Sequence, residues 1–273
     1  MTDDAAREEL RFLTRALRAH LEWQVSTGAT GLERAPRESA PRSSSAPVAA
    51  PVAVAAPVAI AAPVTVAAPR AAPPSEPASG AVDVPRRLEV LAELARVCTR
   101  CGLSKQRKQA VFARGTGSAG LCFVGEGPGA DEDAQGLPFV GKAGQLLDRM
   151  IEAMGFARDE VYVCNVVKCR PPENRKPELD EMAACLPYLT EQLELVAPRV
   201  IVALGATAVQ GLLGTSEGIT RMRGNWKSYR GQIDVMPTFH PAYLLRNPAA
   251  KREVWEDLQE VLRRMGRSIP ARR

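Results

Sequence analysis

The sequence predicts an α/β protein whose parallel sheet is covered by helices on both faces. Two observations lead to this fold class. Apolar runs of strand length alternate with segments of helical periodicity, and strands that alternate with helices form parallel sheets. The runs are apolar at nearly every position, as in strands buried on both faces. The predicted strands are 121–125, 161–166, 200–204 and 233–239, and the predicted helices are 86–97, 142–155, 177–196, 206–213 and 248–265.

An isolated amphipathic helix is predicted within residues 1–34, ahead of this domain. Leu10, Leu13, Leu17 and Leu21 recur there at steps of three and four residues, with charged residues between them. The apolar side of such a helix needs a partner surface. That surface belongs either to the rest of this chain or to another protein, and the sequence leaves both alternatives open.

A flexible linker is predicted at 35–85, between this helix and a globular domain at 86–273. The linker consists mainly of Ala, Pro, Ser and Val, and the hexapeptide at 49–54 recurs almost unchanged at 55–60 and 61–66. Proline in each copy withholds a backbone donor that a β-helix would need. We therefore expect a disordered tether, partly in the polyproline-II conformation.

Charge and cysteine content set limits on partners and compartment. The 273 residues carry a net charge of +5, which is compatible with a polyanionic partner. The N-terminus lacks the apolar core of a secretory signal, and no apolar run reaches the roughly 18 residues of a membrane helix. We expect a cytoplasmic protein with no membrane partner. In a reducing compartment, the six cysteines are expected to bind metal or to lie buried.

Residues suited to chemistry follow the predicted strand ends. A glycine-rich turn at 125–133 carries four acidic residues, Asn165 ends the second strand, and His240 follows the fourth. Ligands of parallel sheets bind beyond the carboxyl ends of the strands, so we expect one shared site. Nucleotide hydrolysis is excluded, because Ala143 stands where a P-loop at 136–143 would need a magnesium-binding hydroxyl.

Four motifs in register identify the chain as similar to the family-four uracil-DNA glycosylases, the iron–sulfur branch of the uracil-DNA glycosylase superfamily. They are GEGPG at 125–129 with Glu132 and Asp133, PFVGKAG at 138–144, NVVKCRPP at 165–172 and HPAYLLRN at 240–247. The resemblance runs from Cys98 to Arg264. It implies a three-layer α/β/α fold with a short central parallel sheet. It also implies a base excision repair hydrolase that flips uracil out of DNA and leaves an abasic site.

The resemblance assigns four residues to the uracil base. Phe139 stacks on the flipped base, Asn165 hydrogen-bonds its polar edge, and the backbone of Gly125 and Gly127 surrounds it. A flipped base requires a flat apolar partner, and an amide both donates and accepts hydrogen bonds. An amide held in one orientation therefore accepts uracil and rejects cytosine, whose donor and acceptor are reversed on that edge.

The resemblance also assigns catalytic residues. It places Glu132 where a 5-methyl group would lie and His240 beside uracil O2. Because bond cleavage leaves negative charge on uracil, a donor aimed at O2 is expected to contribute most; the sequence leaves its protonation state open. The best-known branch of the superfamily orients water with an aspartate where this chain has Gly127. Glu126 is the first candidate for that task, Glu132 or Asp133 the second, and an unassisted water the third.

The histidine-containing motif also supplies candidate DNA contacts. Either Leu244 or Leu245 is expected to insert into the stack that the flipped nucleotide leaves, unless both pack on the domain. Arg246, Lys142 and Lys168 are candidates for phosphate contacts, which would make binding depend on salt concentration.

Four cysteines are candidate metal ligands. Cys98 and Cys101 form a C-x2-C pair, whereas 15 residues separate Cys169 from Cys185. This spacing is not that of a zinc finger, but a C-x2-C pair alone does not distinguish iron from zinc. All four coincide with the ligands of the resembling family, which implies a structural [4Fe–4S] cluster. Two further thiols are predicted to lie buried in strands: Cys122 and Cys164.

Two alternatives to an enzyme with multiple turnovers are a protein that traps its product and a non-catalytic binding module. A related subgroup traps its product through a histidine in the loop after the second strand, but 170–177 contains no histidine, so we expect turnover. The chain would otherwise be a non-catalytic iron–sulfur DNA-binding module of a replication or repair assembly. The joint presence of Phe139, Asn165 and His240 favours the enzyme, acting as a monomer on uracil-containing DNA.

Overall fold

The computed structural model describes residues 83–270. The predicted helix within 1–34 and nearly all of the linker predicted at 35–85 lie outside the described residues. Those two predictions stay predictions.

A six-stranded mixed sheet forms the centre of the described domain. Its strands are β1 Ala113–Arg114, β2 Leu121–Gly125, β3 Tyr162–Asn165, β4 Val200–Leu204, β5 Lys227–Tyr229 and β6 Ile233–Thr238. Their order across the sheet is β1-β3-β2-β4-β6-β5. The four central strands run parallel, and the short edge strands β1 and β5 pair antiparallel. The prediction of a short central parallel sheet is confirmed.

Helices cover both faces of this sheet. They are α1 Val84–Val97, α2 Ala130–Gln135, α3 Lys142–Ala153, α4 Leu179–Val196, α5 Ala206–Leu213, α6 Ile219–Met222, α7 Pro241–Arg246 and α8 Lys251–Arg264. Along β2, Leu121 and Phe123 pack in a core cluster with α3 and α8, whereas Cys122 and Val124 pack in a second cluster with α1, α4 and α5. Because successive strand residues point to opposite faces, both faces are buried, and the three-layer α/β/α prediction is confirmed.

The long elements lie where the hydrophobic pattern predicts them, and the short ones were missed. The pattern gave no signal for β1, β5, α2, α6 or α7, because two to six residues are too few to show a period. None of the helices between residues 83 and 270 is long and apolar enough to cross a membrane.

The sheet brings four strand ends to one edge. Gly125 at the end of β2 pairs with Asn165 at the end of β3. On the other side of β4, the Gly205 amide donates to the Thr238 carbonyl at 2.8 Å. The loops that follow these strands therefore surround one space at the carboxyl edge of the sheet, as parallel sheets predict.

Candidate active site

A cleft of about 640 Å³ opens at the carboxyl edge of the sheet. Most of the candidate site residues named from the sequence line it, namely Glu126, Gly127, Glu132, Phe139, Asn165, His240 and Arg246. Gly125 lies directly beneath, since a Cβ atom added there would meet Phe139 Cζ at 2.5 Å. Residues from three separate strand ends thus meet in one space.

Two rings form adjacent walls of the cleft. The centroids of Phe139 and His240 are 5.6 Å apart, and the ring planes are tilted by 32°. Phe139 is 5% exposed and has a φ of +57°, a backbone conformation that residues other than glycine rarely adopt. Such strain persists only where the surrounding structure enforces it.

Charged side chains hold the peptide groups on both sides of Phe139. The Nε of Arg114, which is buried, donates to the Pro138 carbonyl at 3.2 Å. On the other side, a carboxylate oxygen of Glu132 accepts from the Val140 amide at 2.9 Å. These bonds orient the two peptide planes that define φ and ψ of Phe139, so they keep its ring in place despite the strained backbone.

Asn165 presents an unsatisfied acceptor. It ends β3, is 2% exposed, and its Oδ1 has no hydrogen-bond partner within residues 83–270. Its backbone carbonyl, by contrast, accepts from the Lys168 ammonium at 2.7 Å. A buried polar atom without a partner is uncommon and costly. Because Asn165 lines the cleft, a ligand N–H group would satisfy it.

His240 is neutral and presents one donor to the cleft. Its Nδ1 accepts from the Ala242 amide at 3.1 Å, so the proton resides on Nε2. Burial and the positive charge of Arg246 lower the pKa of His240 to about 4, although the carboxylate of Glu132 acts in the opposite direction. Nε2–H is therefore available to an acceptor in the cleft near neutral pH.

The three acidic candidates differ in their surroundings. Glu126 lines the cleft. The carboxylate of Glu132 also faces the cleft, but it is occupied by backbone amides, including that of Gly129 at 3.0 Å. Asp133 is 2% exposed and accepts from the Lys108 amide at 2.9 Å, outside the cleft lining. Glu126 is thus the carboxylate in the cleft that is best placed to act on water.

The candidate DNA contacts separate into exposed and buried residues. Leu244 is 1% exposed and packs in the core, whereas Leu245 is 43% exposed, so the contact expected of Leu244 is corrected and Leu245 stays the candidate for the wedge. Lys168 is 1% exposed, and the phosphate contact considered for it is corrected too. Arg246 and Lys142 are exposed and stay candidates.

The four candidate metal ligands line one small cavity. They are Cys98, Cys101, Cys169 and Cys185. The Arg107 guanidinium donates to the Cys169 sulfur at 2.8 Å, and the Lys168 amide donates to the Cys185 sulfur at 3.2 Å. Within residues 83–270, no three His, Cys, Asp or Glu side chains form a preorganised metal site. The convergence of four thiols with N–H donors nevertheless fits an anionic thiolate-bound group.

Several site residues escaped the sequence reasoning. Arg114 was not considered, because nothing in its neighbourhood marks it as close to Phe139. Thr207, at the start of α5 after β4, also lines the cleft. The general rule that ligands bind at strand ends would have pointed to this third strand end, but it lacks the charged or aromatic residues that drew attention to the others.

Comparison with known proteins places this site in a family. The family model described as the uracil DNA glycosylase superfamily matches residues 112–259. The chain belongs to this superfamily. The resemblance inferred from the four motifs is confirmed, and the matched region contains all the strand ends that surround the cleft.

Curated relatives agree with this membership. A Type-4 uracil-DNA glycosylase from Thermotoga maritima is 47% identical over 176 residues, which cover 63% of this chain and 92% of the relative. A Type-4 uracil-DNA glycosylase from Saccharolobus solfataricus is 44% identical over 182 residues, covering 64% of this chain and 84% of the relative. A Type-5 uracil-DNA glycosylase from Pyrobaculum aerophilum is 35% identical over 161 residues, covering 56% of this chain and 66% of the relative. Similarity to the Type-4 members of the superfamily is therefore higher than to this Type-5 member.

Proposed function

We propose that this chain removes uracil from DNA by hydrolysing the bond between the base and the deoxyribose. The observation that carries the proposal is the unsatisfied Oδ1 of Asn165, which lines the same cleft as Phe139 and His240. Membership of the superfamily and the Type-4 relatives support it independently.

The cleft residues recognise uracil by stacking and by two hydrogen bonds. Uracil N3–H donates to Oδ1 of Asn165, and uracil O4 accepts from the amide nitrogen of the same side chain. Phe139 stacks against the base, as is typical of pockets that hold flipped nucleotides. Cytosine offers an acceptor at N3 and a donor at N4, so both hydrogen bonds to Asn165 would be lost.

His240 stabilises the departing base. As the bond between C1′ and N1 breaks, its electron pair moves onto uracil, and the sugar becomes an oxocarbenium ion. Nε2–H of the neutral imidazole donates to O2, where part of the negative charge develops. Water then adds to C1′ and loses its proton. Glu126 accepts this proton, because the carboxylate of Glu132 is already bonded to backbone amides.

Incubation with an oligonucleotide that contains one uracil tests this function. We expect alkali-labile abasic sites in the treated strand and no cleavage of a matched oligonucleotide that contains thymine or cytosine. Binding without release of uracil would instead support a non-catalytic DNA-binding module and would contradict the proposal.

The glycine at the floor of the pocket provides a first prediction. Alanine at position 125 would place its Cβ within 2.5 Å of Phe139 Cζ, so the ring or the Asn165 amide must move. Because displacement by about 1 Å can cost about 100-fold in rate, Gly125→Ala is expected to lower kcat/KM by about that factor. Gly218→Ala is the matched control, since nothing lies within 4 Å of its added Cβ and it lines neither the cleft nor the cysteine cavity. Equal activity of the two variants would contradict the proposed pocket.

We further propose that the cysteine cavity holds a [4Fe–4S] cluster through the thiolates of Cys98, Cys101, Cys169 and Cys185. The fit of the cavity is supported by the N–H donors at two of the sulfurs. Hydrolysis moves no electrons, so the role of the cluster is structural: it ties the segment after α1 to the loop after β3, through Cys169, and to α4, through Cys185. Cys169 follows Asn165 by four residues.

Replacing one proposed ligand tests the cluster. Chemical analysis of the purified protein is expected to yield about four iron atoms per chain, and Cys98→Ala is expected to lose most of them together with thermal stability. Cys122→Ala is the matched control, because this buried thiol lies in β2 outside the cavity. A wild-type protein that contains zinc and no iron would overturn the assignment.

A further inference from the structure

A largely buried ion pair lies at the end of β6, two residues before His240. Asp257 of α8 is 2% exposed. Its carboxylate accepts from Nη2 of Arg223 at 2.7 Å and from Nε at 3.2 Å. Arg223 follows α6, and the same guanidinium also donates to the Glu253 carbonyl at 2.7 Å. The pair therefore joins α6 and α8 on one side of β6.

The same carboxylate binds the last residue of β6. The hydroxyl of Thr238, which is completely buried, donates to Oδ2 of Asp257 at 2.6 Å. The next residue, Phe239, packs its ring 5.6 Å from the guanidinium carbon of Arg223. Both residues that precede His240 are thus fixed by the ion pair, and none of Thr238, Arg223 and Asp257 lines the cleft.

We propose that Thr238, Arg223 and Asp257 are positioning residues. They hold His240 where its Nε2–H can donate to O2 of the leaving base. The inference rests on the proposed function. Buried ion pairs contribute little net stability compared with apolar packing, whereas a donor that stabilises developing charge must be placed closely. The hydrogen bond from Thr238 to Asp257 fixes the end of β6. It thereby fixes the position of the His240 imidazole, two residues later.

This role predicts a particular kinetic pattern. His240 contributes mainly when charge develops on uracil, and the binding groups lie on other segments: Phe139 on the loop between α2 and α3, and Asn165 at the end of β3. Loosening the Thr238 hydrogen bond should therefore lower kcat and leave KM almost unchanged. A general loss of packing would instead affect binding, chemistry and stability together.

Thr238→Val removes the hydroxyl and keeps the shape of the side chain. We expect kcat on uracil-containing DNA to fall about tenfold with KM changed by less than about twofold. Thr238→Ser, which keeps the hydroxyl, should restore kcat to within about twofold of the wild type. Thr190→Val is the matched control: the Thr190 hydroxyl lies 3.3 Å from that of Tyr229, away from the cleft, and its loss should leave kcat unchanged.

A double-mutant cycle with His240→Ala decides whether the effect passes through the imidazole. If it does, Thr238→Val costs nothing further in the His240→Ala background. An equal loss in both backgrounds, or equal losses in Thr238→Val and Thr238→Ser, would overturn the inference. Should Thr238→Val fail to fold, Arg223→Lys replaces it, because it keeps the charge but loses the two-pronged bond to Asp257. Absence of uracil release by the wild type would refute the proposed function itself and is read before any variant.

Discussion

His240→Ala is expected to lower kcat for uracil release by about 10²–10³, the cost of removing one donor aimed at developing negative charge. KM should change little, because stacking on Phe139 and the hydrogen bonds of Asn165 remain. Initial rates of formation of alkali-labile sites, measured over a range of substrate concentrations, give both quantities. His20→Ala is the matched control, since His20 is the only other histidine in the sequence and lies outside residues 112–259, which match the superfamily. A variant at position 240 with full activity would remove the donor from the mechanism.

The pH dependence of the wild type follows from the same imidazole. Because the pKa of His240 is lowered to about 4, the neutral donor persists well below the ordinary pKa of histidine, near 6.5. Activity should therefore show no loss with an apparent pKa near 6.5. In the unfolded chain this histidine takes up a proton as the pH falls below about 6.5, whereas in the folded protein it stays neutral down to about pH 4. The free energy of unfolding therefore decreases as the pH falls from about 6.5 to about 4. His240→Ala should accordingly lose less thermal stability on acidification, and a clear activity step near pH 6.5 would contradict the neutral assignment.

Asn165→Asp is the second change with a large expected effect. The carboxylate replaces the amide donor by a second acceptor, which repels uracil O4 and opposes the charge that develops on the base. Sites built on paired hydrogen bonds lose large factors when a partner is removed, and we expect kcat/KM for uracil to fall by at least about 10². The ratio of uracil to cytosine release should fall with it, because a carboxylate accepts from the cytosine amino group.

The control for this substitution is Asn174→Asp. Asn174 also lines the cleft, but its side-chain oxygen is bonded to Nε of Arg170 at 2.8 Å. We expect its activity to stay close to that of the wild type, because a carboxylate at position 174 can still accept from Arg170. An Asn165→Asp variant that retains both rate and selectivity would show that another group reads the polar edge of the base.

The central sheet could be predicted because four largely apolar runs alternate with long periodic helices. The meeting of Phe139, Asn165 and His240 in one cleft followed from the motifs and from the rule that parallel strands expose their ends at one edge. The supporting contacts could not be predicted. Arg114 reaches Pro138 across 24 positions in the chain, and Asp257 reaches Thr238 across 19. No local sequence pattern predicts which distant residue a charged side chain will contact.

The burial of individual side chains also could not be predicted from the sequence. Leu244 and Leu245 are adjacent and chemically identical, yet one faces the core and the other the solvent, because the short helix α7 sets their directions. Lys168 looked like a phosphate contact by its charge alone. Its ammonium instead turns inward to the Asn165 carbonyl.

The receptor for the base is built on a hydrogen-bonded ladder, since Gly125 and Asn165 are paired and Gly205 is bonded to Thr238. Strand ends joined in this way have no hinge between them, so we expect this side of the cleft to move as one unit. The nucleotide has to travel the whole distance, so the conformational work is done on the DNA. Uracil in an unpaired strand, which has already left its partner, should react sooner than uracil held in a stable duplex.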